Sequence, residues 1–142
     1  MPEPPGGMLM GFDPGERHIG VAVGEALLGT ARGVTTLSAR HGQPDWAAVA
    51  GLLEHWAPAA LVVGLPSHAD GSDADSTALA RRLAGRLHGR FGLPVHTIDE
   101  RLSSRAAEAR LDPRQRQRDP QAVHAEAAAV ILETFFAQQG VA

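Results

Sequence analysis

The order of apolar periodicities predicts an α/β domain: a mixed five-stranded sheet, three antiparallel strands first, with helices on both faces. Three observations carry this. The first third of the chain is a series of short β-branched runs separated by glycine and proline turns. From residue 44 onward, helical stripes alternate with strand-length runs. One of those runs, Ala60–Leu65 (ALVVGL), is apolar throughout, as a strand covered on both faces must be.

Leu9–Asp13 (LMGFD) reads as the first strand, stopped by Pro14-Gly15. His18–Gly24 (HIGVAVG) is the second and Ala31–Leu37 (ARGVTTL) the third. Pro44 suits the first turn of a helix, and Asp45 adds a favourable charge near its start. Trp46, Val49, Leu52, Leu53 and Trp56 form its stripe, and Pro58 ends it. After the ALVVGL strand comes a polar loop, Pro66–Asp75. Leu79, Leu83, Leu87 and Phe91 mark a helix over Ser76–Phe91. Val95–Asp99 (VHTID) is the fifth strand and Ser103–Leu111 a short helix. Asp112–Pro120 (DPRQRQRDP) reads as a mobile loop. Ala122–Gln138 is the last helix, with Val123, Ala127, Val130, Ile131, Thr134 and Phe135 on one side. This order is the ribonuclease H-like arrangement. Residues 8–139 form one domain, and residues 1–7 (MPEPPGG) are a disordered leader with no signal-peptide character.

Composition removes several chemistries. There is no cysteine, hence no disulfide, thiolate zinc site or thiol nucleophile. There is no lysine, hence no Walker-type phosphate loop and no Schiff base. No apolar run is long enough to span a bilayer, so a cytoplasmic protein without a membrane partner is expected. The net charge of −3 argues at first against a polyanion. Its distribution argues the other way. Ten of the 13 arginines fall between Arg81 and Arg118, a window of net +6 against −9 for the remainder. Arginine suits phosphate contacts, so Arg17, Arg82, Arg86, Arg90, Arg101, Arg105, Arg114, Arg116 and Arg118 are candidate nucleic-acid contacts. The bland alternative for such a run is a solvated helix face.

Four segments can carry chemistry. Asp13 sits at the end of the first strand, where a rigid carboxylate opens onto the sheet edge and suits a hard metal. It could equally start an Asx-turn with Pro14-Gly15. Asp99-Glu100-Arg101 ends the fifth strand. Alternation sends Asp99 and Glu100 to opposite faces, so at most one faces Asp13. Helix capping by Asp99 or Ser103 is the competing role. On the last helix His124 shares a side with Ala127, Ala128, Ile131 and Phe135, whereas Glu126 groups with Val130 and Glu133. A lone histidine on an apolar face is ordinarily a core residue. Gly64–Ser72 places a polar loop after a strand end, but Asp70-Gly71 is also a common turn. The other histidines, His18 among them, show no ligand spacing.

DPGERHIGVAV, VVGLPSHADGS, IDERLSS and AEAAAVILETFF occur in that order, and together they resemble the motifs of the YqgF (RuvX) family. The likeness runs from about Leu9 to Phe136. Members are described as pre-16S rRNA nucleases and as Holliday junction resolvase-like. The resemblance implies a ribonuclease H-like fold and metal-dependent phosphodiester cleavage. It matches the family's strand-1 acid to Asp13 and its DER motif to Asp99-Glu100-Arg101. It departs at the last helix, where His124 stands in place of the usual Asp. Mg²⁺ prefers oxygen ligands, whereas a neutral imidazole can ligate Mn²⁺ or another transition metal, so the expected cofactor is Mg²⁺ or Mn²⁺, with His124 the reason for Mn²⁺. Asp13, Glu100 or Asp99, and His124 are thus the expected catalytic and metal set. Glu126 joins it only if the helix is rotated or begins later. The expected substrate is structured RNA, with 5′-end maturation of pre-16S rRNA leading. Branched or single-stranded DNA, or binding without cleavage, are the alternatives. Either a monomer or a homodimer is compatible.

Overall fold

The computed structural model describes residues 7–66, 74–100 and 109–139; within them the side chains of residues 74, 75, 100 and 115–117 are outside the description. Residues 1–6 of the expected leader, 67–73 of the expected Pro66–Asp75 loop, Arg101, Arg105 and most of the expected 103–111 helix therefore lie outside the described residues.

The strands are β1 (Met8–Asp13), β2 (His18–Glu25), β3 (Thr30–Arg40), β4 (Gln43–Pro44), β5 (Ala60–Pro66) and β6 (Val95–Glu100). The helices are α1 (Trp46–Trp56), α2 (Ala74–Phe91), α3 (Pro113–Arg118) and α4 (Ala122–Gln139). The sheet order is β4-β3-β2-β1-β5-β6. β1, β2, β3 and β4 run antiparallel in sequence, while β5 and β6 lie parallel on the other side of β1. The mixed sheet with three antiparallel strands first is as expected, and helices cover both faces.

Three local expectations are corrected. Among the described residues the sheet has six strands, because Arg40 pairs with Gln43 across a two-residue turn. That turn places both His41 (φ 53°) and Gly42 (φ 79°) in the left-handed region, as a type I′ hairpin requires. Pro44 therefore belongs to β4. Asp45 becomes the N-cap of α1, accepting the Ala47 N–H at 3.0 Å. The 112–120 segment holds a helix, which its first Asp-Pro starts. Asp112 accepts the Arg114 N–H at 2.8 Å with Pro113 opening α3; Asp119 accepts the Gln121 N–H at 3.2 Å ahead of α4.

The two faces are packed differently. On one, α4 lies against Leu9, Ala22, Ala60, Val62 and Ile98 through Ala128, Ala129, Ile131, Leu132, Phe135 and Phe136. Val123, Val130 and Thr134, expected on the packed side, are only half-buried; Ala125 and Leu132 are buried instead. On the other face, α1 and α2 bring Val49, Leu83 and Leu87 onto Met10, Phe12, Ile19, Val21, Val23, Leu61 and Val63. No helix of the described residues is long and apolar enough to cross a membrane.

Candidate active site

Alternation along β1 sends Leu9 and Gly11 toward α4, and Met10 and Phe12 toward α1 and α2. Asp13 continues the first set, so it faces α4 at the end of the strand. Its antiparallel partner is Gly20, which faces the same way. A Cβ on Gly20 would lie 1.8 Å from the His124 carbonyl oxygen. Glycine here lets the first turn of α4 rest its backbone on β2. That close approach fixes His124 beside the strand end that carries Asp13.

The His124 ring is stacked on His18, with centroids 5.0 Å apart and planes 15° from parallel. Gln121 Nε2 lies 3.1 Å from His18 Nε2, within hydrogen-bond distance. The Thr36 hydroxyl donates to the Gln121 carbonyl at 2.8 Å, tying this turn to β3. Burial lowers the His124 pKa below 6.5, and the charge of His18 lowers it further. His124 is therefore a neutral imidazole at pH 7, the form that binds a metal.

Strand β6 sorts the two adjacent acids. His96 packs its ring 5.2 Å from Phe135 and Ile98 joins the α4 core, whereas Val95 packs on the opposite face. Asp99 belongs to the Val95 set and is exposed. Glu100 occupies the register position of the α4 set, opposite Pro66. Asp13 is level with Gly64, one step past the Phe12–Val63 pair. Glu100 thus lies two strands across and two residues beyond Asp13, on the order of 10 Å away by standard strand spacings.

Glu126 has a different environment. Arg110 Nε sits 3.1 Å from Glu126 Oε2, and Arg110 Nη1 sits 2.7 Å from Glu133 Oε1. Glu133 also accepts the Ala31 N–H at 3.0 Å, so Arg110 bridges two turns of α4 beside β3. Glu126 further lines a cavity of about 380 Å³ with Gly33, Thr35, Thr36 and Asp119. Among the described residues no three Asp, Glu or His side chains gather as a ready metal site.

The arginines divide between the two faces. Arg17, in the β1–β2 turn, is exposed next to His18. Its carbonyl accepts the Ala39 N–H at 2.7 Å. Arg114 and Arg118 are exposed on α3, which packs on α4. Arg82, Arg86 and Arg90 are exposed on α2, across the sheet from α4. His124, His18 and Gln121 therefore lie together beside the end of β1 that carries Asp13, and Glu100 holds a register position on the same face. His18 and Gln121 carried no spacing signal, because their meeting with α4 is a tertiary event.

A family model described as "RuvX: Holliday junction resolvase" matches residues 7–138. A protein of Azotobacter vinelandii is 50% identical over 136 residues, covering 93% of this chain and 94% of the relative. One of Alcanivorax borkumensis is 49% identical over 130 residues, covering 92% and 96%. Both carry the name "Putative pre-16S rRNA nuclease". Among solved structures, Thermus thermophilus RuvC in complex with a Holliday junction substrate superposes with a TM-score of 0.55 at 20% identity, covering 94% and 96%. The fowlpox virus Holliday junction resolvase gives 0.57 at 10% identity, covering 94% and 99%. At such identities the likeness is one of fold, the ribonuclease H-like fold of these resolvases.

Proposed function

The chain belongs to the RuvX family, and on that premise we propose that it is a metal-dependent nuclease that cleaves structured RNA and matures the 5′ end of pre-16S rRNA. The observation that carries this reading is Asp13 at the end of β1, facing α4 beside the neutral imidazole of His124. The names of the close relatives support RNA as substrate.

The donor types suit a divalent cation. Asp13 and Glu100 offer hard oxygens acceptable to Mg²⁺, and His124 widens the choice to Mn²⁺. When bound, such an ion acidifies a water and stabilises charge on the leaving oxygen. His18 stacks on the His124 ring, and Gln121 contacts His18 in turn. Arg17, Arg114 and Arg118, with Arg101, Arg105 and Arg116 from the same part of the chain, contact phosphates around the scissile bond. Asp99 and Glu126 stand apart from this set, Asp99 by its register on β6 and Glu126 by its pairing with Arg110.

A second reading, cleavage of branched DNA, is favoured by the family's description. It would require two active sites and so a homodimer, whereas trimming one RNA end requires a single protomer. Purified protein incubated with a pre-16S rRNA fragment and with a four-way DNA junction, each in Mg²⁺ and in Mn²⁺, separates the two. The expected result is metal-dependent cut ends on the RNA, lost in Asp13→Asn at unchanged melting temperature. Full activity of Asp13→Asn would overturn the site. Cutting of the junction alone would move the assignment to DNA.

A further inference from the structure

Helix α2 has one face that no contact among the described residues accounts for. Ala80, Leu83, Ala84 and Leu87 turn inward onto the sheet and are buried. The opposite side is formed by Arg82, Gly85, Arg86 and Gly89, at the i, i+3, i+4, i+7 spacing of a single helix face. Arg81 and Arg90 flank it, and all four arginines are exposed. No acidic residue occurs between residues 76 and 91. Among the described residues no ion pair engages Arg81, Arg82 or Arg86.

This face is unfavourable for an isolated helix. Arg82–Arg86 and Arg86–Arg90 are like charges at i, i+4, which repel. Gly85 and Gly89 are poor helix residues in mid-helix. A side chain at either would meet nothing within 4 Å, so neither glycine serves packing. What they do is keep the floor between the arginines flat. Arg90 is pre-set at one rim, its guanidinium stacked 4.3 Å over the Trp46 ring. A shallow, cation-lined floor without side-chain bulk is complementary to a polyanion whose backbone must come close. Arginines one helical turn apart, about 6 Å along the axis, match a regular array of anionic groups.

We propose that the Arg82–Gly85–Arg86–Gly89 face of α2 is a second docking surface for the phosphodiester backbone of the substrate, on the opposite side of the sheet from Asp13. It rests on the nucleic-acid reading above for the identity of the polyanion. It extends that reading by requiring a substrate long enough to pass around the β6 edge and reach the far face. The surface reads backbone charge, so RNA and DNA are distinguished by the test.

The test uses the full chain and two variants, Arg82→Gln/Arg86→Gln and Gly85→Glu. The second places an acid in the floor while replacing glycine with a better helix former, so its melting temperature holds or rises. Fluorescence anisotropy follows binding of a long RNA hairpin, a DNA duplex of equal length and a short single strand across a salt series. Cleavage is measured on the long and short RNAs. The expected result is about tenfold weaker binding of the long probes, with the salt slope reduced by about one per arginine removed. The cleavage rate at saturation and all behaviour on the short strand stay as in the parent. If the hairpin alone is affected the partner is RNA; if both duplexes are, it is backbone of either kind. Unchanged affinity and salt slope for the long probes overturn the docking surface, even in an enzyme that cuts. Equal losses on the short strand overturn it too, since the stripe would then belong to the cleavage site. Weaker long-probe binding in a protein that cuts nothing would support the surface while overturning the nuclease.

Discussion

The two faces of the sheet are built from different side chains. Under α4, β1, β2, β3 and β5 present Gly11, Gly20, Gly33 and Gly64, and a Cβ at any of them would come within 3 Å of an α4 atom. Under α1 and α2 the same sheet presents Met10, Phe12, Ile19, Val21 and Val63, and the layer is filled by branched and aromatic side chains. At Gly20 and Gly33 the first arrangement brings helix backbone close to strand backbone, and at Gly11 and Gly64 it seats the side chains of Leu132 and Ile131 on the strand. It holds the first turn of α4 rigidly at the level of Asp13, as a site with little positional tolerance needs. The second arrangement is a conventional core whose outer surface is basic. Site precision thus depends on one face, while the other contributes apolar burial and, on its outside, arginine.

Substituting across this contrast should break the faces separately. The largest stability effect is expected from Gly20→Val. Its added carbons would have to displace the His124 carbonyl, and backbone cannot move aside as a side-chain tip can. A loss of several kcal/mol, or failure to fold, is expected from overpacking against backbone. Chemical denaturation reads this directly. Leu87→Ala on the other face should cost about 2–5 kcal/mol as a core truncation. Because Leu87 lies across the sheet from Asp13, the cleavage rate of the folded fraction should not change. A rate loss beyond the folded fraction would mean the faces are coupled.

The smallest effect concerns the stacked imidazoles. The His124 pKa is lowered by burial first and His18 second. His18→Asn should therefore raise it only part of the way to 6.5, as read from the ring-proton shifts against pH. The sign for stability follows from the lowered value. His124 favours the folded state fully above pH about 6.5, and that contribution is lost as pH falls through its folded pKa. An unchanged His124 titration in His18→Asn would show that the ring contact is not felt electrostatically.

The sequence was informative where a signal is local and periodic. The order of the elements was legible because each strand or helix carries its own apolar pattern. The edge hairpin was not: two residues of β4 show no periodicity, and His41-Gly42 does not resemble the usual Asn-Gly turn. Helix α3 was hidden because Asp112–Pro120 carries no apolar stripe, although Asp112-Pro113 supplies an N-cap and a first helical residue. For the site, Asp13 and the opposed faces of Asp99 and Glu100 followed from strand alternation. Which acid shares the Asp13 face required knowing that His96 and Ile98 meet α4. The stacking of His18 on His124 and the capture of Glu126 by Arg110 were invisible for the same reason, since only tertiary packing creates them. The arginine stripe was legible as a stripe, but a periodic pattern shows which side of a helix is outside, never which face of the sheet it covers.

The assignment of the cleavage site to the α4 face has one direct test. Asp99→Asn and Glu100→Gln alter neighbouring acids whose register positions lie on opposite faces of β6. Metal-dependent cleavage of the pre-16S rRNA fragment is measured for both, beside Asp13→Asn and the parent. The expected result is cleavage abolished in Glu100→Gln and Asp13→Asn and retained in Asp99→Asn. Loss in Asp99→Asn with retention in Glu100→Gln would contradict it and place the chemistry on the opposite face.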